Sequence, residues 1–275
     1  MLADLQRQEL AFQAAHDKAT TGCTGDSDPF CGSQFAHWPG PVLADPERGR
    51  IIIAYGKLCR GSEGSRCLST ELAGEMIGWG FFFVVPELGL GDRLKPSTGG
   101  AMDVTGSLDP ALFGGAQDFF FSGGALAHNG FAYLYGSANI LEGSKVARVP
   151  LASFEDKSQW VYWDGGAWQS DVNAGKGIMG PGAAGNTVFF SEPLNGFYNV
   201  YCPFGTNEVF MQSAPAPEGP WSDPVSLFSS TPVNNATNYA CYAHPEFASA
   251  DGLTQYISFF RTGDGAQVLT KVQLQ

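Results

Sequence analysis

One pattern recurs four times along the chain and constrains its fold more than any other feature. Each copy has a short strand of small or apolar residues, a polar turn ending in glycine, and a strand of apolar and aromatic residues. Glycine supplies the positive φ that a tight hairpin turn requires, and the flanking segments have strand composition. The copies span residues 41–55, 124–135, 187–201 and 243–258, and their turn glycines are Gly49, Gly130, Gly196 and Gly252.

Further short strands are predicted after the last three hairpins, at 146–150, 160–163, 208–213, 224–228 and 267–274. A hairpin followed by one or two more strands, repeated every roughly 60–80 residues, is typical of β-propeller blades. The 36 glycines, the 17 prolines and the low charged fraction of 15% are also typical of a turn-rich all-β chain. A β-sandwich contains many short strands too and stays open as the alternative, but the regular recurrence favours the propeller.

The N-terminal segment differs from the rest of the chain. Residues 2–18 contain good helix formers and neither Gly nor Pro, so they predict a helix. We therefore predict an N-terminal part with this helix and a cysteine loop over residues 1–35, and an all-β propeller domain over residues 36–275.

The chain has six cysteines, which permit fifteen connectivities. The simplest arrangement has two local bridges and one long-range bridge that ties neighbouring blades. It pairs Cys23 with Cys31, Cys59 with Cys67, and Cys202 with Cys241. Disulfides form in oxidising compartments, so we predict a secreted protein. Residues 1–20 lack a continuous apolar core, so the secretion signal is expected to lie outside this sequence.

The charge and the motif content exclude several classes of protein. A net charge of −12 repels nucleic acids and anionic membranes, and no apolar run approaches the ~20 residues of a membrane span. The sequence contains no phosphate-binding loop, no Gly-x-Ser-x-Gly and no Cys-x-x-Cys, so no cofactor is expected. An oxygen-only calcium site near the propeller axis stays open, although no Asp-x-Asp pattern marks one.

Six segments, taken together and in this order, resemble a known family. They are QELAFQAAH (8–16), AHWPGPVLAD (36–45), YLYGSANILEGSKVARVPL (133–151), WVYWDGGAW (160–168), APAPEGPWSDP (214–224) and CYAHPEF (241–247). The family is the bacterial and fungal one of five-bladed propellers, long labelled a domain of unknown function, that includes endo-D-arabinanases. The resemblance implies a five-bladed propeller that hydrolyses a furanose polymer such as arabinan. In the family, a first blade with catalytic carboxylates precedes the helix. The resemblance therefore implies that this chain lacks that blade, and that a preceding segment or a partner chain completes the ring.

Three residues are predicted to carry catalysis. Glycosidases use two carboxyl groups, about 5–5.5 Å apart in retaining enzymes and about 6.5–9.5 Å apart in inverting ones. Side chains at the start of the innermost strands converge on one mouth of a propeller channel. Asp118 interrupts an apolar run there and is the best candidate acid. His244 is also predicted at the start of an inner strand, and Glu246, two residues on, is predicted to share a strand face with it, so that the two form one hydrogen-bonded unit. A turn-capping aspartate and a buried structural histidine are the alternative interpretations.

Five further residues are predicted to bind a glycan. His37, Trp38 and Asn186 are predicted at or before the starts of inner strands, and Tyr198 and Tyr242 offer ring faces that stack on sugars. Adjacent strand residues point to opposite faces, so at most one of His37 and Trp38 lines the mouth. The alternative is that these aromatic residues belong to the core. Three functions are open at this point: a secreted glycoside hydrolase, a non-catalytic carbohydrate-binding propeller, and a structural or interaction propeller.

Overall fold

The computed structural model describes residues 7–61, 67, 75–88, 90–93, 113–114, 123–136, 143–180 and 185–274. The chain divides into two compact units. The first unit comprises residues 1–120 with 155–158, and the second unit comprises residues 121–154 with 159–275. Within the described ranges, single 3-10 turns connect many of the strands, at Pro46–Arg48, Pro86–Leu88, Leu151–Ser153, Lys157–Gln159, Val172–Ala174 and Pro245–Phe247.

The first unit begins with two short helices and continues as an antiparallel sheet. Helix α1 spans Arg7–Ala15 and helix α2 spans Lys18–Thr21. The Asp17 side chain caps α2 by accepting a hydrogen bond from the Ala19 N–H, and Gly22 ends the helix with φ 66°. The predicted boundary between residues 35 and 36 stays a prediction. The first sheet has the order β1-β2-β3-β4, with β5 beside β3. Its strands are β1 (Gln34–Asp45), β2 (Arg50–Arg60), β3 (Glu75–Val85), β4 (Leu90–Arg93) and β5 (Phe113–Gly114).

The second unit contains three antiparallel sheets that follow one another in the chain. The second sheet consists of β6 (Ala125–His128), β7 (Phe131–Gly136), β8 (Lys145–Pro150), β9 (Val161–Trp163) and β10 (Trp168–Gln169). The third sheet consists of β11 (Asn186–Ser191), β12 (Gly196–Tyr201), β13 (Glu208–Ala214) and β14 (Val225–Ser229). The fourth sheet consists of β15 (Asn238–Ala243), β16 (Thr254–Arg261) and β17 (Ala266–Gln273).

Each predicted hairpin begins a sheet of its own, and apart from β5, which pairs with β3, the described strands of each sheet form a meander of neighbours in sequence. In the second unit the first strands of the sheets lie side by side, with β11 in contact with both β6 and β15. Meanders whose first strands line up in this way are the blades of a β-propeller. The predicted all-β propeller fold is confirmed, and the sandwich alternative is set aside because, among the described strands, no sheet combines two of the hairpins.

Three of the four turn glycines have the predicted backbone. Gly49, Gly130 and Gly252 adopt φ angles of 58°, 76° and 74°. Gly196 is a correction, because it is the first residue of β12, and the positive φ of 49° belongs to Asn195 before it. Asparagine is one of the few other residues that tolerate the left-handed region, so this turn places it where a glycine was predicted.

The third and fourth sheets enclose a common core. Val200 and Ile257 lie at its centre and are almost completely buried. Cys202, directly after β12, forms a disulfide with Cys241 of β15, with the Cα atoms 5.6 Å apart. The predicted long-range bridge between neighbouring blades is therefore confirmed.

The two local disulfides are also confirmed. Cys23 pairs with Cys31 and Cys59 pairs with Cys67, with Cα separations of 5.7 Å and 5.1 Å. Phe12 of α1 packs against the apolar cluster that contains the second of these bridges. The short helix is thus held against the first sheet by an apolar contact.

Candidate functional site

The fourth sheet has one buried face and one partly exposed face. Along β16 the buried residues Gln255, Ile257 and Phe259 alternate with partly exposed residues, among them Ser258. Successive side chains of a strand point to opposite faces. The buried residues therefore face the third sheet, with which they share a core, and Ser258 lies on the other face.

Two tyrosines of β15 lie on this exposed face because of a β-bulge. Tyr239 pairs with Phe260 and Tyr242 pairs with Ser258, so β15 advances by three residues where β16 advances by two. Ala240, in the bulge, has a φ of 54°. Without the extra residue the two tyrosines would point to opposite faces. Both are well exposed, Tyr239 at 39% and Tyr242 at 38%.

His244 extends the same face directly after β15. Its Nε2 atom lies 2.8 Å from Oγ of Ser258, and its Nδ1 atom lies 3.3 Å from Oε1 of Glu246. Glu246 reaches the imidazole from the 3-10 turn and not from a strand as predicted. The side chain of His244 is 29% exposed and that of Glu246 is 58% exposed. The ring is thus oriented by partners at both nitrogens and remains accessible to a ligand. We call the surface formed by Tyr239, Tyr242, His244, Glu246 and Ser258 the His244 face.

Tyr242 connects the His244 face to the start of β11. Partial burial raises the pKa of the Tyr242 phenol above its usual value. A Cβ atom at Gly185, where φ is 152°, would come within 2.6 Å of that hydroxyl oxygen. The Ala243 N–H also donates to Oγ1 of Thr187 at 2.9 Å. These contacts bring Tyr242 close to the segment that contains Asn186.

The sequence places His244 at the start of an inner strand, and this placement is wrong. β15 (Asn238–Ala243) ends before His244, which precedes the 3-10 turn Pro245–Phe247. The strand begins farther upstream than predicted because its first residues already pair with β16. His244 therefore lies at the hairpin end of the sheet, where Glu192 and Pro245 line a common groove.

Asn186 and Tyr198 are packed within the second unit. Asn186, the first residue of β11, is 3% exposed, and its Nδ2 donates to Oδ1 of Asn199 at 3.0 Å. Gln212, which pairs with Asn199 across the sheet, binds backbone groups of two neighbouring loops. Tyr198 stacks on Phe189 with ring centroids 5.8 Å apart. These contacts support the structure of the sheet, and the predicted roles of both residues in ligand binding stay predictions.

His37 and Trp38 lie on β1 of the first unit. His37 packs edge-on against Tyr55, with ring centroids 5.0 Å apart, and lies near Phe82. Trp38 is 38% exposed and lies 6.0 Å from the guanidinium carbon of Arg60. Of the two neighbours, Trp38 is therefore the one with an exposed ring.

Asp118 lies outside the described residues, so its role as the acid stays a prediction. Among the residues that are described, no group of three or more His, Cys, Asp or Glu side chains is placed to hold a metal ion. The same part of the chain contains no helix with the length and apolar character needed to span a bilayer.

The sequence analysis does not single out Tyr239 or Ser258, which complete the His244 face. Ser258 could be found by pairing the strands of the fourth hairpin, since it then stands opposite Tyr242. Tyr239 could not be found in this way. Simple alternation places it on the face opposite Tyr242, and only the bulge brings the two rings together.

Solved structures resemble this chain in fold. A hydrolase candidate from Bacteroides ovatus ATCC 8483 matches with a TM-score of 0.59 and 14% identity over 87% of this chain. The match covers 61% of the Bacteroides chain, so this chain spans about three fifths of its length. At this identity the likeness supports the fold and not an activity.

Two further matches have TM-scores below 0.5. Zg3597, a family 117 glycoside hydrolase from Zobellia galactanivorans, has a TM-score of 0.46 and 14% identity over 86% of this chain and 66% of its own. The β-fructofuranosidase of Schwanniomyces occidentalis has a TM-score of 0.49 and 10% identity over 88% of this chain and 44% of its own. A search of curated protein sequences gave no match. The sequence profile described as "Domain of unknown function (DUF4185)" matches residues 98–268, more than half of the chain, and the chain therefore belongs to this family.

Proposed function

We propose that this chain is a secreted, carbohydrate-recognising propeller of the glycoside hydrolase type that acts on a furanose polymer such as arabinan. The observation that carries the proposal is the His244 face, where two exposed aromatic rings lie beside an imidazole, a hydroxyl and a carboxylate. Sugars present C–H faces to aromatic rings and hydroxyl groups to polar side chains. The resemblance to the propeller family with endo-D-arabinanases supplies the substrate class.

The aromatic and polar groups of the His244 face have separate tasks. Tyr239 and Tyr242 stack on successive sugar rings. His244 exchanges hydrogen bonds with a sugar hydroxyl, and Ser258 and Glu246 fix the orientation of its ring. The Glu246 carboxylate, more than half exposed, accepts further hydrogen bonds from the glycan.

Hydrolysis requires a pair of carboxyl groups across the scissile bond. Glu246, which contacts His244, is one member of the proposed pair, and Asp118 is the other. The apolar neighbours of Asp118 in sequence suit a proton donor, because a dry environment favours the neutral acid. If no second carboxyl group lies across the scissile bond from the first, the same face serves a non-catalytic carbohydrate-binding propeller.

Secretion is supported by the three disulfides, because such bridges persist in oxidising compartments. Expression with an added secretion signal tests this part of the proposal. A secreted protein should acquire all three bridges and fold. Material that folds equally well with its cysteines kept reduced would argue for a reducing compartment.

Binding to arabinan tests the His244 face. Tyr239→Ala and Tyr242→Ala each remove one stacking contact of about 0.5–1.5 kcal/mol, so each should weaken the affinity about 2- to 13-fold. Phe204→Ala is the matched control, because Phe204 is 62% exposed and lies outside this face. Isothermal titration calorimetry gives the affinities. Unchanged affinity in both tyrosine variants, or no binding by the unsubstituted protein, would overturn the proposal.

Release of reducing ends from arabinan tests hydrolysis. Asp118→Asn should reduce the rate at least ~100-fold, the usual scale for the loss of an acid or base group. Asp223→Asn, at an exposed site, is the control and should not change the rate. Arabinan binding without any release of reducing ends would establish the non-catalytic alternative in place of the hydrolase.

A further inference from the structure

A second feature of interest lies at the hairpin end of the third and fourth sheets. A groove of about 260 Å³ opens there between the end of β11 and the connection from β15 to β16. Its lining includes Phe190, Ser191, Glu192, Pro245, Ser249 and Gln255. The groove is distinct from the His244 face, because Gln255 and Ser258 lie on opposite faces of β16.

Gln255 supplies a buried hydrogen-bond acceptor without a partner. Its side chain lines the groove, and the residue is only 2% exposed. Its Nε2 donates to the Gly252 carbonyl at 2.7 Å, which fixes the carboxamide. Its Oε1 accepts no hydrogen bond from any described residue. A buried acceptor left unpaired costs free energy, and a hydroxyl group in the groove would remove this cost.

The remaining walls define the kind of ligand. Glu192 contributes an exposed carboxylate and Ser191 a hydroxyl, so hydrogen-bond acceptors predominate and favour a ligand with several O–H donors. Phe190 and Pro245 provide apolar contacts, and Ala248 lines the groove with a small side chain. The volume falls just below the range of about 300–1,000 Å³ typical of sites for drug-sized molecules. A single sugar ring fits these limits.

We propose that this groove binds one sugar residue or a polyol of similar size through Gln255, Ser191 and Glu192. This is a second binding site of the second unit, on the face of β16 opposite to Ser258 and the His244 face. It requires neither hydrolysis nor the tyrosines.

Titration of the ¹⁵N-labelled protein with arabinose, galactose, glucose and xylitol tests the proposal. The resonances to follow are the Gly252 amide and the Gln255 carboxamide. Both should shift saturably with at least one of these compounds at millimolar concentration. Gln255→Met, which keeps the length of the side chain and removes the acceptor, should weaken the affinity about tenfold.

Two alanine variants provide the matched comparison. Ala248→Leu fills the groove without a change of charge and should abolish the shifts, whereas Ala152→Leu, at an exposed alanine outside the groove, should leave them unchanged. Tyr242→Ala should also leave them unchanged, which separates this site from the His244 face. No saturable shift with any of the four compounds would overturn the proposal. Shifts that persist in Ala248→Leu with an otherwise unchanged spectrum would overturn it too.

Discussion

Removal of the disulfide between Cys202 and Cys241 tests how strongly the third and fourth sheets depend on a covalent link. The bridge spans a sequence separation of 39. The loop-closure entropy of about 40 residues corresponds to about 4 kcal/mol at 25 °C. Both cysteines are also at least 99% buried in the shared core. The double variant Cys202→Ala/Cys241→Ala should therefore lose about 4 kcal/mol or more of unfolding free energy.

The matched control is Cys23→Ala/Cys31→Ala, which also removes two sulfur atoms but opens a bridge with a separation of only 8. The same relation gives about 2.6 kcal/mol for this shorter loop. Urea unfolding of the oxidised proteins, followed by tryptophan fluorescence, measures both losses. If the long-loop variant loses no more stability than the control, the entropic argument is refuted for this pair of blades.

Three further changes test local interactions. Asp45→Ala removes a fully buried carboxylate that binds two arginines, so it should lower the free energy of unfolding by about 3 kcal/mol. A loss below about 1 kcal/mol, measured by urea unfolding, is what a surface ion pair would give and would contradict the prediction. Backbone N–H donors, first that of Ala167, lower the pKa of Asp164 below its usual 3.8, so its stabilisation is present above about pH 4 and is lost as the pH falls through the lowered pKa. The difference in Tm between the unsubstituted protein and Asp164→Asn should therefore close toward low pH, and a constant difference would be evidence against this interaction. Gly185→Ala places a Cβ atom against the Tyr242 hydroxyl, at a residue whose φ is positive. The variant should lose about 1 kcal/mol or more of unfolding free energy and should bind arabinan more weakly. An unchanged affinity in calorimetry would show that Tyr242 is not positioned by this contact.

The strands of the second unit could be predicted closely from the sequence. The predicted strands 146–150 and 208–213 each differ from the observed ones by one residue at one end, Lys145–Pro150 and Glu208–Ala214. Both are short runs with apolar residues in alternation, and their boundaries follow from composition alone. Local patterning is therefore sufficient to locate these strands of the second unit.

The site could be predicted only in part, because its geometry depends on how strands pair. The contact between His244 and Glu246 is present, but a 3-10 turn makes it and not the strand spacing from which it was inferred. The bulge at Ala240 exists only relative to β16, and it decides on which face Tyr239 lies. A single strand read by itself carries no information on such a register shift.

The turn that carries His244 occurs twice in the chain, and the two copies differ in one informative way. The sequence Ala-X-Pro-Glu contains Asp45 at X in the first sheet and His244 at X in the fourth. The backbone angles agree closely, with φ −121° and ψ 76° for Asp45 and φ −120° and ψ 73° for His244. Because the same backbone accepts either residue, the fold by itself does not require the histidine.

The surroundings of the two side chains differ. In the first sheet the Asp45 carboxylate is fully buried and bound at 2.9 Å by both Arg48 and Arg50, which makes it part of a structural ion pair. In the fourth sheet the same position holds a titratable ring that is 29% exposed, beside exposed tyrosines. The same position is therefore closed to solvent in one sheet and open to a ligand in the other, which favours the His244 face over the equivalent turn of the first sheet as the location of the proposed function.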